Sequence, residues 1–508
     1  MKNTYNIKYM LRMLVFSLLA IQFTSCSDFL EEAPVTESSD QTFWVNGEAA
    51  NSAIAASYSE LRKALNNGLS YFVHGDLPTD EFSKTSIYKL NWDYQALQEV
   101  TWGLAASATQ SDRPMYRARD FSAFYATIKQ ANLCIKHIPE IPEDTFEEYD
   151  KNYNQYMGEA YFIRAFSYFY MTRVWGDVPI VSDSNPDEAD LKDYARNDKD
   201  QVLLKVIDDC KTALKYLGWD YSNVDDKAVR ANAGAAWALL AHAYAWAGNY
   251  SSAEIAANKV IEDGGYTYVD RNSYSNIYSG QSSESIFEIA QNSSTESAGY
   301  SVAHHLLRGK YLFTRKDNTQ TIWTLDEDTF RETFFDDEND LRRINGFDNW
   351  TIEDNQGFWP NVLKFANISY TSPTSPLASN NIIVFRLAGI TLLKAEALAA
   401  QNRFSEARMA LNEVRNISGL EDSTVSDDDL FEAIIQERGR ELFLEGHRFY
   451  DLVRLAREKQ IYKFGSDNSD KIKPSDFLEG KSYWPIQPTL IETNPLLKQT
   501  EYWSALTL

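Results

Sequence analysis

The sequence predicts an all-α-dominated fold, in which helical hairpins form a scaffold that carries long irregular loop insertions and a few short strands. Apolar residues recur every three or four positions through much of the middle of the chain, which is the period of an amphipathic helix. Two distant stretches repeat one helix-turn-helix pattern. Gly, Pro, Asn and Ser concentrate in the segments between, which should therefore be irregular.

The first residues predict export and a lipid anchor. A basic leader precedes the apolar run MLVFSLLAIQF, which is too short for the roughly 30 Å hydrocarbon core of a bilayer but typical of a signal peptide. Thr24 and Ser25 lead into Cys26, as in a bacterial lipobox, where the cysteine is acylated. We predict a lipoprotein signal peptide at 1–25 and a lipid-anchored tether at 26–42. The alternative is an ordinary cleavage site beside a cysteine.

The composition bounds the mature chain, which we predict to be a single domain at 43–508. Hydrophobic residues make up 44% of the 508, enough for a large core. The formal charge is −24, from 49 basic and 73 acidic residues, and a nucleic acid partner would need concentrated Lys and Arg, so none is expected. Cys134 and Cys210 have apolar neighbours and should be buried; a disulfide between them is left open.

Helical periodicity begins at 44–66 and continues through two helical pairs. Their helices are predicted at 116–138, 153–175, 200–217 and 230–247.

Two stretches then match one another at a spacing of 154 residues: ALLAHAYAWAGNYSSAEIAANKVI at 238–261 and LLKAEALAAQNRFSEARMALNEVR at 392–415. Alanines coincide along both, and Tyr250 falls on Phe404 just after each turn. This spacing resembles the tetratricopeptide (TPR) helical hairpin, although an ordinary pair of antiparallel helices is the simpler reading. We predict TPR-like pairs over 116–261 and 383–415.

Irregular composition marks the insertions at 70–113 and 264–380, and a tail at 456–508. They should be loops and short strands laid over the helical scaffold.

Enzyme and metal motifs are missing from the sequence. It contains no GxGxxG, Walker, HExxH or GxSxG pattern. Asp183, Asn185 and Asp187 alternate as at the start of a calcium loop, but Glu188 and Tyr194 stand where Gly and Glu are needed, so whether a structural calcium is present is left open. We predict no cofactor and no catalytic metal.

The densest acidic cluster is ERGRELFLEGHRFYDLVR at 437–454. Glu437, Glu441 and Glu445 recur at helical spacing with arginines between them, which favours a salt-bridged helix. The alternative is an all-helical glycoside hydrolase, which needs only two acids across a cleft.

At this cluster the chain resembles the SusD/RagB family of lipid-anchored outer-membrane proteins. IIQERGRELFLEGHRFYDLVRL is similar to the family's C-terminal signature. Agreement in chain order extends to GEAYFIRAFSYFYMTRVWGDVPIV at 158–181, to FRLAGITLLKAEALA, which starts at Phe385, and to YWPIQPTLIETNPLLKQTEYW at 483–503.

The resemblance implies a function without catalysis. Such proteins sit on the outer face of the outer membrane, capture an oligo- or polysaccharide, and deliver it to a SusC-like TonB-dependent transporter, with the hairpins facing the transporter and the inserted loops gripping the ligand. Some members take peptides instead, which stays an alternative. The acidic residues after the cysteine, Asp28, Glu31 and Glu32, stand where the family's phylum is thought to carry a surface-export signal.

Saccharide-binding candidates follow from sugar chemistry and from the resemblance. Sugars present flat CH faces and rims of hydroxyls, so they suit exposed aromatic rings flanked by polar side chains. An indole in a polar insertion has less reason to be buried than one on a scaffold helix, although it can also pin its loop to the scaffold. The candidates are Trp92, Asp93, Tyr94, Trp102, Tyr300, Trp323, Asn349, Trp350, Trp359 and Asp76, of which Asp76 could instead cap a turn.

Overall fold

A computed structural model gives the architecture. It describes residues 43–83, 92–103, 111–181, 193–221, 223–291, 302–307, 323–350, 358, 360–372, 375–465 and 471–504.

Helices dominate the described part of the chain. The first half contributes α1 (Gly47–Asn66), α2 (Ser70–Gly75), α3 (Trp92–Gln98), α4 (Pro114–Arg119), α5 (Ser122–His137), α6 (Tyr149–Trp175), α7 (Lys199–Ala213), α8 (Ala233–Trp246) and α9 (Tyr250–Asp263). The second half contributes α10 (Ala303–Leu306), α11 (Leu341–Gly346), α12 (Leu387–Ala400), α13 (Phe404–Ile417), α14 (Leu430–Leu442), α15 (Arg448–Lys459), α16 (Pro474–Leu478), α17 (Pro488–Thr493) and α18 (Glu501–Ser504).

Short strands pair in antiparallel twos. They are β1 (Ser285–Ile289) with β6 (Ile382–Arg386), β2 (Phe347–Asp348) with β3 (Asn361–Val362), and β4 (Ile368–Ser372) with β5 (Ser375–Ala378). Because β1 and β6 lie near the two ends of the second insertion, their pairing closes its base against α8 and α12.

The long helices stack in sequence order. α1 packs on α5 and α6, α6 on α7, α7 on α8, α8 on α9, and α9 on α12, which packs on α13 and α14. Asn232 and Asn249 start α8 and α9, since their side chains accept the amide protons of Ala235 and Ser252. Buried alanines such as Ala253 let neighbouring helices approach closely. This helical scaffold with few strands confirms the predicted fold class.

The second helices of three consecutive hairpins share a register. Leu204, Ile255 and Met409 are each the sixth residue of α7, α9 and α13, and they are 66%, 59% and 70% exposed. Each of these three helices therefore exposes one large apolar side chain at the same position, where water would otherwise favour a polar residue.

The two insertions meet one another instead of forming separate loops. Phe82 and Leu325 form an antiparallel bridge. Ser83 N donates to Thr324 O at 3.1 Å, and Asp326 N donates to Glu81 O at 2.8 Å. Backbone pairing thus joins the first insertion to the second.

Cys134 and Cys210 are both buried and both free, so they form no disulfide with one another. Cys134 Sγ lies 3.7 Å from Ser57 Oγ, and burial raises its pKa to about 12. Neither thiol is set up for chemistry, because the reactive form is the thiolate. Within the described ranges no helix is long and apolar enough to cross a bilayer.

Candidate functional site

The acidic cluster of the signature segment lies in the core as an ion-pair hub, which we define as Arg271, Glu284, Arg342, Lys364, Arg386, Glu437, Glu441 and Glu445. Glu441 alone accepts from Arg271 at 2.8 Å, Arg342 at 2.8 Å and Arg386 at 2.6 Å. The arginines come from outside the signature helix. The predicted salt bridging is confirmed, but it joins distant segments more than it links successive turns of one helix.

Hub electrostatics hold these acids in the charged form. Burial alone would raise the pKa of Glu445, but Arg386 and Lys364 outweigh it and hold that pKa at about 2. The same balance, with Arg342, Arg440 and Arg415, holds the pKa of Glu437 at about 2. Lys364 Nζ donates to Glu445 Oε1 at 2.6 Å, and burial lowers its pKa to about 8. These carboxylates are already bound to cations and buried away from solvent.

The turn after α14 fixes the first insertion. Both carboxylate oxygens of Asp76 accept from Gly446 N, at 3.0 and 2.8 Å, and Arg448 holds Asp80 at 2.9 and 2.6 Å. Gly446 has φ +78°, and a Cβ there would lie 2.3 Å from the Tyr71 ring. Asp76 is fully buried, so the prediction that it contacts a ligand was wrong.

An aromatic junction forms where the insertions meet, from Phe82, Tyr94, His305 and Trp323. The rings of His305 and Trp323 stack at 4.8 Å between centroids, Tyr94 lies 5.3 Å from His305, and Phe82 lies 5.6 Å from Trp323. The structure thus brings together Tyr94 and Trp323, which are far apart in sequence. It buries both, with Trp323 only 1% exposed, so the expectation of exposure was wrong for these two.

Trp102 and Asp93 are buried as well. Trp102 stacks on Trp484 with 3.8 Å between ring centroids, and its Nε1 donates to Leu97 O at 2.9 Å. Asp93 lies 3.2 Å from Arg113 Nε and accepts from Met115 N at 3.4 Å. Both residues hold the first insertion in place: Trp102 packs on Trp484 of the tail, and Asp93 binds Arg113 and the start of α4. The expectation that they face solvent was wrong.

The Trp350 patch, which we define as Arg331, Arg343, Asn349 and Trp350, lies at the surface. Asn349 is exposed, with φ +61°, and Trp350 is partly buried. The Trp350 ring packs on Phe347 at 4.8 Å and Phe358 at 5.1 Å.

Two arginines contact Trp350, one at its ring and one at its backbone carbonyl. Arg343 Cζ lies 5.5 Å from the centre of the Trp350 ring, and Arg331 Nη2 donates to Trp350 O at 3.0 Å. The side chains of Arg331 and Arg343 are 32% and 20% exposed. Sequence reasoning missed both arginines, although their closeness in sequence to the only Asn-Trp pair of the second insertion was a usable signal.

Tyr300, Trp359, Cys26 and Asp183 lie outside the described residues, as does the side chain of Trp92, whose backbone starts α3.

Comparison with known proteins identifies the family. Residues 28–245 match a family described as starch-binding and associating with the outer membrane, and residues 319–503 match the SusD family. The chain belongs to the SusD family. SusD-like protein P38 of Formosa agariphila is 26% identical over 512 residues, covering 94% of this chain and 95% of that protein.

Solved structures of SusD proteins share the fold. A SusD homolog of Bacteroides thetaiotaomicron is 25% identical, with a TM-score of 0.77, over 90% of this chain and 98% of that chain. A laminarin-binding SusD-like protein is 20% identical, with a TM-score of 0.70, over 90% of this chain and 99% of that chain. The recognition made from the signature segment is confirmed.

Proposed function

We propose that this SusD-family protein is a cell-surface lipoprotein that captures an oligo- or polysaccharide and delivers it to a SusC-like TonB-dependent outer-membrane transporter. The observation that carries saccharide binding is the Trp350 patch. An indole, an amide and two guanidinium groups provide one apolar face and several hydrogen-bond donors and acceptors in a small area. Trp92, Tyr300 and Trp359 stay candidates for ligand contact in this proposal.

The names of relatives support a saccharide ligand. One matching family is described as starch-binding, and one structural neighbour as laminarin-binding. Both are glucose polymers with apolar ring faces, for which an aromatic platform is the expected contact.

Binding without catalysis is supported by the hub. Glu437, Glu441 and Glu445 are all at most 4% exposed and are each held by at least two cations. A glycosidase needs one carboxylic acid that protonates the leaving group and a second that reaches the sugar. Carboxylates held by buried cations at low pKa serve neither role, which disfavours the hydrolase alternative for this cluster.

The lipid anchor at Cys26 and the transporter remain parts of the proposal. The exposed Leu204, Ile255 and Met409 support a protein partner on the second helices of the hairpins, because a large apolar side chain exposed at the same position of all three helices suits a protein contact better than water. Outer-membrane association is part of the description of the family that residues 28–245 match.

An affinity gel tests the saccharide proposal. The protein is run through native gels that contain soluble starch, laminarin or other neutral and acidic polysaccharides, and reducing ends are assayed in parallel. Retarded migration in at least one gel without new reducing ends is the expected result. Release of sugars would contradict the proposal of binding without catalysis. Binding to a peptide column, with no retardation by any polysaccharide, would favour the peptide alternative.

A further inference from the structure

A cleft lies on the scaffold, away from both insertions. It has a volume of about 830 Å³ and forms where the ends of α6 and α8 and the start of α7 meet α15 and the C-terminal tail. None of its lining residues belongs to 70–113 or 264–380. Its size falls within the range of about 300–1,000 Å³ that ligand pockets occupy.

The walls of this C-terminal cleft are held in place by hydrogen bonds. Arg196 donates to three backbone carbonyls, those of Asp177 at 2.7 Å, Lys498 at 3.0 Å and Trp175 at 3.1 Å. Trp484 N donates to Val174 O at 2.8 Å. The tail is thereby tied to the end of α6, so the cleft exists before any ligand arrives, which lowers the entropy cost of binding.

Two arginines in the cleft lack an acidic partner. Arg196 bonds to carbonyls, while Arg457 donates to Tyr483 Oη at 3.0 Å and lies 4.2 Å above the Trp246 ring. In the described part of the chain neither guanidinium has a carboxylate oxygen within salt-bridge distance. Each keeps N–H groups that a ligand oxygen could accept from.

Carboxylates line the same cleft. Asp200, Glu479 and Glu501 contribute to its lining, and among the described residues none of them forms an ion pair. An anionic ligand would meet these three acids, and a cationic ligand would meet Arg196 and Arg457. A neutral ligand rich in hydroxyls suits both signs, because each hydroxyl donates to a carboxylate and accepts from a guanidinium.

Aromatic and apolar side chains complete the lining. Tyr483 and Phe477 are partly exposed there, and Leu478 on the rim is 80% exposed. Trp175 also lines the cleft, although its side chain is buried.

We propose that the C-terminal cleft is a second binding site, separate from the Trp350 patch, and that it takes a segment of a neutral oligosaccharide. The ligand class rests on the proposed function, whereas the location rests on the cleft itself. Arg457 and Asp200 contact the sugar hydroxyls, and Tyr483 contacts a ring face.

Titration calorimetry with maltoheptaose and laminarihexaose tests this site. The comparison uses Arg457→Ala and Asp200→Ala in the cleft and Trp350→Ala in the patch. Lys459→Ala is the matched control, because Lys459 lies on the same helix as Arg457 but outside the cleft lining. Thermal melts of all variants exclude misfolding as the cause.

The expected result is a binding event that survives Trp350→Ala and Lys459→Ala and is weakened about tenfold or more by either cleft variant. Binding that Trp350→Ala removes completely, or that both cleft variants leave unchanged, would overturn the second site while the proposed function stands. No heat from either oligosaccharide with the unmodified protein would count against both proposals. Heat from an uncharged peptide alone, removed by Arg457→Ala, would assign the cleft to polypeptide and overturn the saccharide site.

Discussion

Two neighbouring arginines on α11 belong to two different regions of the molecule, the ion-pair hub and the Trp350 patch. Arg342 points into the ion-pair hub, where it contacts Asp340, Glu437 and Glu441 at 2.7 to 2.8 Å and is fully buried. Arg343 lies in the Trp350 patch and keeps a partly exposed side chain. The densest charged cluster of the sequence therefore supports the fold, and a sparser surface cluster carries the proposed binding.

This difference shows that the signature segment can identify the family without containing the proposed binding site. The hub joins α14 to the segments that bear Arg271, Lys364 and Arg386, and α11 leads directly into β2 and Trp350. Because the hub holds Arg342 in place, it also holds α11 and the neighbouring Trp350 patch in position. The hub thus positions a site that it does not touch.

The largest expected effect comes from breaking the hub. Arg386→Ala leaves Glu284, Glu441 and Glu445 with a missing partner, so we expect the free energy of unfolding to fall by about 3–5 kcal/mol. Urea denaturation measures it. Lys259→Ala, which removes a surface pair with Asp263, is the control and should change far less; equal losses would mean that the hub is no more important than surface pairs.

The next largest effect is expected from acid, which acts on the hub carboxylates and on other buried titratable groups. Glu437, Glu445 and Asp451 have folded pKa values of about 2, below those of unfolded chains, so their stabilisation is complete above the unfolded pKa and is lost as pH falls toward 2. His74 and His447, buried as neutral rings with pKa of about 4, add to the loss from about pH 6.5 downward, because only the unfolded state binds protons there. Urea midpoints measured from pH 7 to 3 should fall steadily; a flat profile would refute this electrostatic account.

The patch gives a smaller effect of another kind. Arg343→Ala should weaken polysaccharide retardation by about tenfold, because it removes a donor that flanks Trp350, while the urea midpoint changes little. Arg342→Ala is the matched neighbour and should instead lower the urea midpoint strongly. If both variants behaved alike in both assays, the division between hub and patch would be wrong.

The smallest expected effect on stability comes from the exposed apolar residues of α7, α9 and α13. Changing Leu204, Ile255 and Met409 to Gln should alter the free energy of unfolding by about 0.5 kcal/mol or less at each position, because these side chains bury little surface. The same triple variant should recover less of the transporter in a pull-down from outer membranes. Unchanged recovery would remove the support that these residues give to the partner surface.

Sequence reasoning reached the scaffold because helical periodicity and alanine spacing report directly on helix packing. The 154-residue repeat found α8 with α9 and α12 with α13. It misjudged Trp102 and Trp323 because a polar insertion can still be packed: their rings stack on Trp484 and His305, which come from distant parts of the chain. Long-range contacts of this kind leave no local pattern, so exposure of an aromatic side chain was the least predictable property.

The most direct test compares two partly buried tryptophans, Trp350 in the patch and Trp237 on α8 of the scaffold. Trp350→Ala and Trp237→Ala are run in affinity gels that contain a polysaccharide already shown to retard the unmodified protein. Our account predicts that Trp350→Ala is clearly less retarded than the unmodified protein and keeps only the share contributed by the C-terminal cleft. Trp237→Ala should keep full retardation, and both proteins should be folded by circular dichroism. Full retardation of Trp350→Ala, or equal loss in both variants, would contradict it.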